Sequence, residues 1–292
     1  MRQIFEQVQS RGLRGRTLAL AVACSAVTLG ATAPALASSA LKEEFIPFAN
    51  CPVESAALCV VADTTGGEFV IGHKTVTINK PITLQGGLPT SAYTAQSLIA
   101  AANGVTLSKT PLVVPGGLVG IEGLEAIGGE VTATAEIAGP PSSVLISRQA
   151  LVLRSGAAVT LPIKVKLSNE VLGVDCYIGS DAEPIVLHLT TGRTSPPFPA
   201  EPIQGSASLP EGGAKGKITR IKKVELVDND FAVPGANGCG GSLSSLIDVV
   251  VDADVGIPSS AGSNTAIMDG SLEETPVQWA VKYKPKQKKA KK

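Results

Sequence analysis

Apolar residues alternate with polar ones along much of the chain, at the period of two that marks strands with one buried and one wet face. The longest such run is Val159, Leu161, Ile163, Val165 and Leu167, interleaved with Thr160, Pro162, Lys164 and Lys166. Pro162 has no N–H to give to a ladder, which predicts an edge strand or a bulge at that point. Val131, Ala133, Ala135 and Ile137 repeat the pattern, and residues 144–153 predict a further strand. Ile185, Leu187 and Leu189 predict another, with His188 on the polar side. Upstream, strand signal begins at Glu68, breaks at Gly72 and resumes through Val76, Ile78, Ile82 and Leu84. The glycine pairs in 64–67 and 85–87 read as turns on either side of it. Residues 217–227 predict a strand whose phase slips near Ile221, the mark of a bulge. Residues 267–272, then Val277, Trp279, Val281 and Tyr283, predict the last strands.

The period changes to three and four at Leu243, Leu246, Ile247, Val250, Val251 and Val255. This predicts a helix over 242–254, capped by Ser242 and stopped by Gly256 and Pro258. A shorter helix is predicted over 91–102, between Ser91 and the Asn103-Gly104 stop. Residues 39–50 read as a leader lying over the surface, and 194–202, with four prolines, as an extended connection. Residues 111–129 mix Gly and Pro with Leu, Val and Ile. They read as irregular chain wrapped on the core, or as an apolar flap over a greasy pocket. The expected fold is mainly β: an antiparallel β-sandwich-like domain with one or two short helices.

The N-terminus departs from this pattern. Arg11, Arg14 and Arg16 precede an uncharged run from Thr17 to Ala40, and Ala35-Leu36-Ala37 puts small side chains where a signal peptidase reads. Residues 1–37 are therefore expected to be a cleaved secretory signal, cut between Ala37 and Ser38. A membrane anchor fits less well, because the apolar stretch proper is only Leu18 to Leu29. The mature chain is expected to form one β-rich domain over 38–281, with 139–143 as the meeting point if it divides into two lobes. A disordered lysine-rich tail is expected over 282–292.

Export changes the meaning of the cysteines. Cys24 leaves with the signal, and Cys51, Cys59, Cys176 and Cys239 remain. Four cysteines in an oxidising compartment imply two disulfides, with three possible pairings. Spacing favours Cys51–Cys59 as a local loop and Cys176–Cys239 as a long staple. No CxxC pair is present and both histidines are distant in sequence, which argues against zinc.

Charge is divided along the chain. Lys282, Lys284, Lys286, Lys288, Lys289, Lys291 and Lys292 fall in the last eleven residues with no acid among them. Residues 38–281 carry 14 basic and 24 acidic side chains. An acidic body with few aromatics excludes nucleic acid as a partner. The lysines point instead to an anionic cell-envelope polymer or lipid headgroups, or to a solubilising end without a partner.

Four segments carry a resemblance: 67–88 (GEFVIGHKTVTINKPITLQGGL), 115–120 (PGGLVG), 167–197 (LSNEVLGVDCYIGSDAEPIVLHLTTGRTSPP) and 233–241 (VPGANGCGG). They resemble secreted proteins of high-GC Gram-positive (actinobacterial) bacteria that keep four mature cysteines and have no assigned activity. The resemblance implies export and disulfides, and it carries over no catalytic residue.

No catalytic constellation is recognisable. A G-x-S-x-G elbow is absent, the nearest string being Gly240-Gly241-Ser242-Leu243-Ser244. His73 and His188 read as surface residues. Cys239, just before a predicted helix, would be an activated thiol only if it were free. Asp228/Asp230 and Asp252/Asp254 are paired acids, but a calcium loop needs a third acidic ligand and a distal glutamate. Tyr93, Tyr177, Trp279 and Tyr283 are the few rings on which a sugar could stack. The expectation is a non-enzymatic structural or interaction protein of the envelope or extracellular space, without cofactor. The alternative is a carrier of an apolar, lipid-like ligand in a β-lined pocket.

Overall fold

The computed structural model describes residues 41–117 and 130–283. In order, the chain forms β1 (Leu58–Ile71), β2 (Lys74–Thr77), β3 (Ile82–Leu88), β4 (Gln96–Ser97), β5 (Ile99–Ala100), β6 (Leu112–Val113) and β7 (Thr132–Ile137). There follow β8 (Leu145–Ile146), helix α1 (Arg148–Leu153), β9 (Val159–Ser168), β10 (Tyr177–Ile178), β11 (Ile185–Leu189), β12 (Ser206–Ala207) and β13 (Glu211–Gly213). The last stretch adds β14 (Ile218–Asp228), β15 (Ala236–Asn237), helix α2 (Ser244–Val255), β16 (Thr265–Pro276) and helix α3 (Val277–Tyr283).

These strands build two antiparallel sheets. The first runs β12-β14-β16-β1-β3-β5, with β13 on β14 and β2 on β1. The second runs β15-β10-β9-β7-β6, with β11 and β8 also on β9 and β4 on β8. One aliphatic core lies between them, with Leu58, Val60 and Leu84 from the first sheet meeting Leu161, Ile163 and Leu187 from the second. The expected alternation holds along β9, where Val159, Leu161, Ile163, Val165 and Leu167 are all buried. Each such side chain contributes about 1.5–3 kcal/mol on leaving water. The fold is mainly β, sandwich-like, with short helices and two disulfides, Cys51–Cys59 and Cys176–Cys239. The β7–β9 ladder bridges residues 139–143, the expected meeting point of any two lobes.

Several local expectations are overturned, each for an identifiable reason. Residues 64–67 are not a turn. They lie inside the fourteen-residue strand β1, with a register shift between Thr64 and Gly66. A Cβ on Gly67 would sit 2.0 Å from the Ile267 carbonyl oxygen, so this glycine admits a close backbone and not a reversal. Gly86 and Gly87 likewise lie within β3, where added Cβ atoms would meet Ile99 O and Ala56 Cβ, each at 2.4 Å. Strand β9 is central and not an edge. Its Pro162 carbonyl accepts from Ala138 N at 3.0 Å, one residue past the end of β7, and the return bond that proline cannot make closes that ladder.

Residues 91–102 form the two short strands β4 and β5 in place of a helix. Residues 144–153 give two strand residues and then α1, whose first turn is capped by Ser147 Oγ accepting from Ala150 N at 3.2 Å. Residues 277–283 are helix α3 and not a strand. Ser242 does not cap α2. Leu243 holds the N-cap place after a single 3-10 turn at Gly241–Leu243, while Gly256 closes the helix at φ +79° as expected. The 39–50 leader is not merely superficial, because Phe45 and Phe48 are buried.

Removing Cys176 and Cys239 together by alanine should cost more than removing Cys51 and Cys59, because the first staple spans 63 residues and the second eight. Loop entropy sets the expected losses at about 4 and about 2.5 kcal/mol. Urea unfolding of the two double variants measures the difference. Equal losses would show that loop length does not set what each staple contributes.

Candidate functional site

Of the residues singled out by sequence, the four cysteines are paired as favoured, and Cys59, Cys176 and Cys239 are wholly buried. Cys239 is thus spent in a disulfide. Ala37, Ser38 and the lysines from Lys284 onward lie outside the described residues, as does 118–129, most of the segment read as a flap. Lys282 is exposed on α3.

That helix sits in a second, smaller core on the outer face of the first sheet. Phe45, Phe48, Cys51, Cys59, Val61, Ile218 and Ala280 bury one another there. Trp279 and Tyr283, four residues apart, lie on one face of α3, and the Tyr283 ring stacks on Phe45 with centroids 4.8 Å apart. The ammonium of Lys217 is 5.1 Å from the Trp279 ring centroid, and that of Lys282 is 5.4 Å from Trp279 and 5.7 Å from Tyr283. Two cations over aromatic faces at the start of a lysine run make a basic, fixed root for it. Lys282 therefore belongs to the folded body and not to the tail. The alternation at 277, 279, 281 and 283 hid this corner. The i, i+4 spacing of Trp279 and Tyr283 was the signal for it.

The root is tied down by one arginine. Arg220 donates to Glu44 at 2.8 Å and to Glu273 at 2.9 Å, linking the 41–50 segment to β14 and β16. Ala214 N also donates to Glu44, at 2.9 Å. The hydrogen bond from Arg220 holds the Glu44 carboxyl below its ordinary value.

Most of the remaining candidate carboxylates are spent on internal contacts. Asp228 is buried, and its two carboxylate oxygens accept from His188 N at 2.6 Å and Asp230 N at 2.9 Å. Burial nevertheless raises its pKa. His188 is exposed on β11, and His73, exposed as well, lies in the β1–β2 hairpin turn against Gly256. Asp252 accepts from Ala236 N at 2.7 Å, and Asp254 pairs with Lys74 at 2.9 Å. Asp248 accepts from Cys239 N at 2.8 Å, so α2 holds the disulfide turn through its own carboxylates. Among the described residues, no three His, Cys, Asp or Glu side chains come together to hold a metal ion. Tyr93 is covered by the Arg148 guanidinium at 4.1 Å, and Arg148 in turn pairs with the buried Glu274 at 2.6 Å.

Two apolar crevices open between the sheets, with volumes of about 30 and 50 Å³. One water needs about 10–15 Å³, so each holds a few waters. Ligand pockets span about 300–1,000 Å³, well above either crevice.

The Glu44–Arg220 tether should be at full strength above pH 4.5, the ordinary value for Glu44, and be lost as pH falls through its lowered value. Trp279, the only tryptophan, sits in the core this tether closes. Its fluorescence should therefore step with a midpoint below 4.5, and the step should vanish in Glu44→Gln. A step that persists in the variant would belong to another carboxylate.

No protein-family model matches the chain, and neither a curated protein nor a solved structure is significantly similar to it.

Proposed function

We propose that the protein is exported behind a cleaved N-terminal signal and works outside the membrane as a non-enzymatic interaction protein of the cell envelope. Its C-terminal lysines hold it to an anionic envelope polymer or to lipid headgroups. The observation that carries this reading is the packed root at α3, where Phe45, Trp279 and Tyr283 fix the start of a run of seven lysines beside Lys217. The residues before this run carry a net acidic charge, so the body and the lysine run respond oppositely to an anionic surface.

Two disulfides support the extracellular part of the reading, since such bonds persist in oxidising compartments. No helix among the described residues is long and apolar enough to cross a membrane. Lysines near an anionic surface are worth about 1 kcal/mol each. The attraction is screened over about 10 Å at 0.1 M salt, so attachment must be salt-sensitive.

Co-sedimentation with anionic vesicles over a salt series tests this. The full protein should bind at low salt and release as salt rises, and it should ignore neutral vesicles. Deleting residues 284–292 should weaken binding by about tenfold or more at low salt, six lysines being lost. Binding unchanged by the deletion, or equal on neutral vesicles, would falsify the proposal.

A further inference from the structure

Strand β16 has β1 on one side and β14 on the other, and both neighbours slip register at the same level of it. On β1, Thr64 faces Gly270 and Gly66 faces Asp269, leaving Thr65 without a partner. On β14, Ile221 faces Leu272 and Val224 faces Gly270, so Lys222 and Lys223 together span the level of Ser271. Two bulges that flank one strand bend the sheet from both sides, and bulges are a common means of re-aiming side chains at a site. Gly270 lies at their centre, where a Cβ would stand 1.8 Å from the Asp63 carbonyl oxygen. The result is a cleft of about 390 Å³ lined by Thr65, Ser206, Ser271, Glu225, Asp269 and the two bulged lysines.

The lining is not what a sheet face needs for stability. Glu225 and Asp269 are directly opposed across the β14–β16 ladder, an arrangement of like charges that destabilises a sheet. Neither carboxylate, nor Lys223, takes part in an ion pair among the described residues, and Lys222 has only an exposed pair with Glu211 at 2.7 Å. Hydrogen-bonding capacity is left open in a shallow cleft that faces solvent, with Thr65, Ser206, Lys222 and Lys223 exposed at its walls. Its lining charges are two positive and two negative, interleaved with three hydroxyls. A strongly charged ligand of either sign would meet like charge on one wall. A neutral polyol meets acceptors at Glu225 and Asp269, donors at Lys222 and Lys223, and groups that do both at Thr65, Ser206 and Ser271.

We propose that this cleft binds a neutral, polyhydroxylated ligand, a glycan segment of one or two sugar units, by hydrogen bonds to Asp269, Glu225, Lys223 and Ser271. No aromatic ring among the described residues lines the cleft, so recognition is by hydrogen bonds without stacking and the affinity is modest. The site depends neither on export nor on the lysine tail; the part of the same sheet face covered by Phe45, Phe48 and α3 lies apart from it.

The test is an amide NMR titration of the ¹⁵N-labelled protein with maltotetraose and, separately, with the N-acetylglucosamine tetramer. At least one should shift the amides of Thr65, Lys223, Asp269 and Ser271 as a cluster, with a Kd of about 1 mM. Asp269→Ala should weaken binding about tenfold, as expected for losing a hydrogen bond to a charged group. Its melting temperature should hold or rise, because the like-charge pair is gone. Lys223→Ala, at an exposed position, should weaken binding without touching stability. The proposal is overturned if neither sugar shifts the cluster, if sodium phosphate or ammonium chloride alone shifts it as strongly, or if both variants bind like the parent. A fall in the melting temperature of Asp269→Ala would overturn it too, by giving that carboxylate a structural role.

Discussion

The whole first sheet depends on one non-local pairing, that of β1 with β16. Leu58 faces Pro276 and Val70 faces Thr265, so the first long strand of the domain closes on its last. Until the C-terminal strand arrives, β1 and β14 have no common neighbour and the first sheet has no centre. Closing loops of this length costs entropy before any contact repays it, which makes such topologies slow to fold. Covalent help is placed accordingly. Cys176–Cys239 ties the second sheet at β10 to the turn before α2, and Cys51–Cys59 ties the N-terminal segment to β1. Both bonds thus hold peripheral chain to strands that are already paired.

At two points on the β1–β16 ladder the backbones come very near, Gly67 to Ile267 and Gly270 to Asp63, and glycine is how the chain allows it. This is also where the sequence misleads. Gly66-Gly67 and Gly86-Gly87 look like punctuation between strands, yet each pair sits inside a strand against another backbone or a packed side chain. A glycine that admits a neighbour and one that turns the chain leave the same mark in sequence. The strands that needed no such approach were legible. β9, β11 and β14 fall close to where alternation places them, and the slip at Ile221 is a real bulge. Alternation failed where it was accidental. Val277, Trp279, Val281 and Tyr283 alternate as a strand would, but what decides their structure is Tyr283 stacking on Phe45, more than 200 residues away in sequence.

The candidate sites follow the same division. Lysine composition marks the C-terminal run without any knowledge of the fold, and the cysteine count with spacing leads to the disulfides. Neither reveals Lys217, Arg220 or Glu44, which become neighbours only after β14 pairs with β16 and the N-terminal segment folds back. The cleft is half legible. Its β14 wall is the phase slip at Ile221, whereas its β1 wall is hidden in the stretch that resembles a turn.

The outer face of the first sheet is therefore used in two ways, and the bulges explain why. Where the strands run in regular register, at Cys59, Val61 and Ile218, the face is apolar and is covered by Phe45, Phe48 and α3. Past the bulges the same strands present Thr65, Asp269, Glu225 and Lys223, and the cover ends. A register shift changes which side chains follow which on a face, so at the two slips Thr65, Lys222 and Lys223 join Asp269 and Ser271 on the uncovered part of that face. The face that anchors the lysine run and the face that carries the cleft are continuous. Between them lies Gly270, where the approach of the Asp63 carbonyl leaves no room for a side chain.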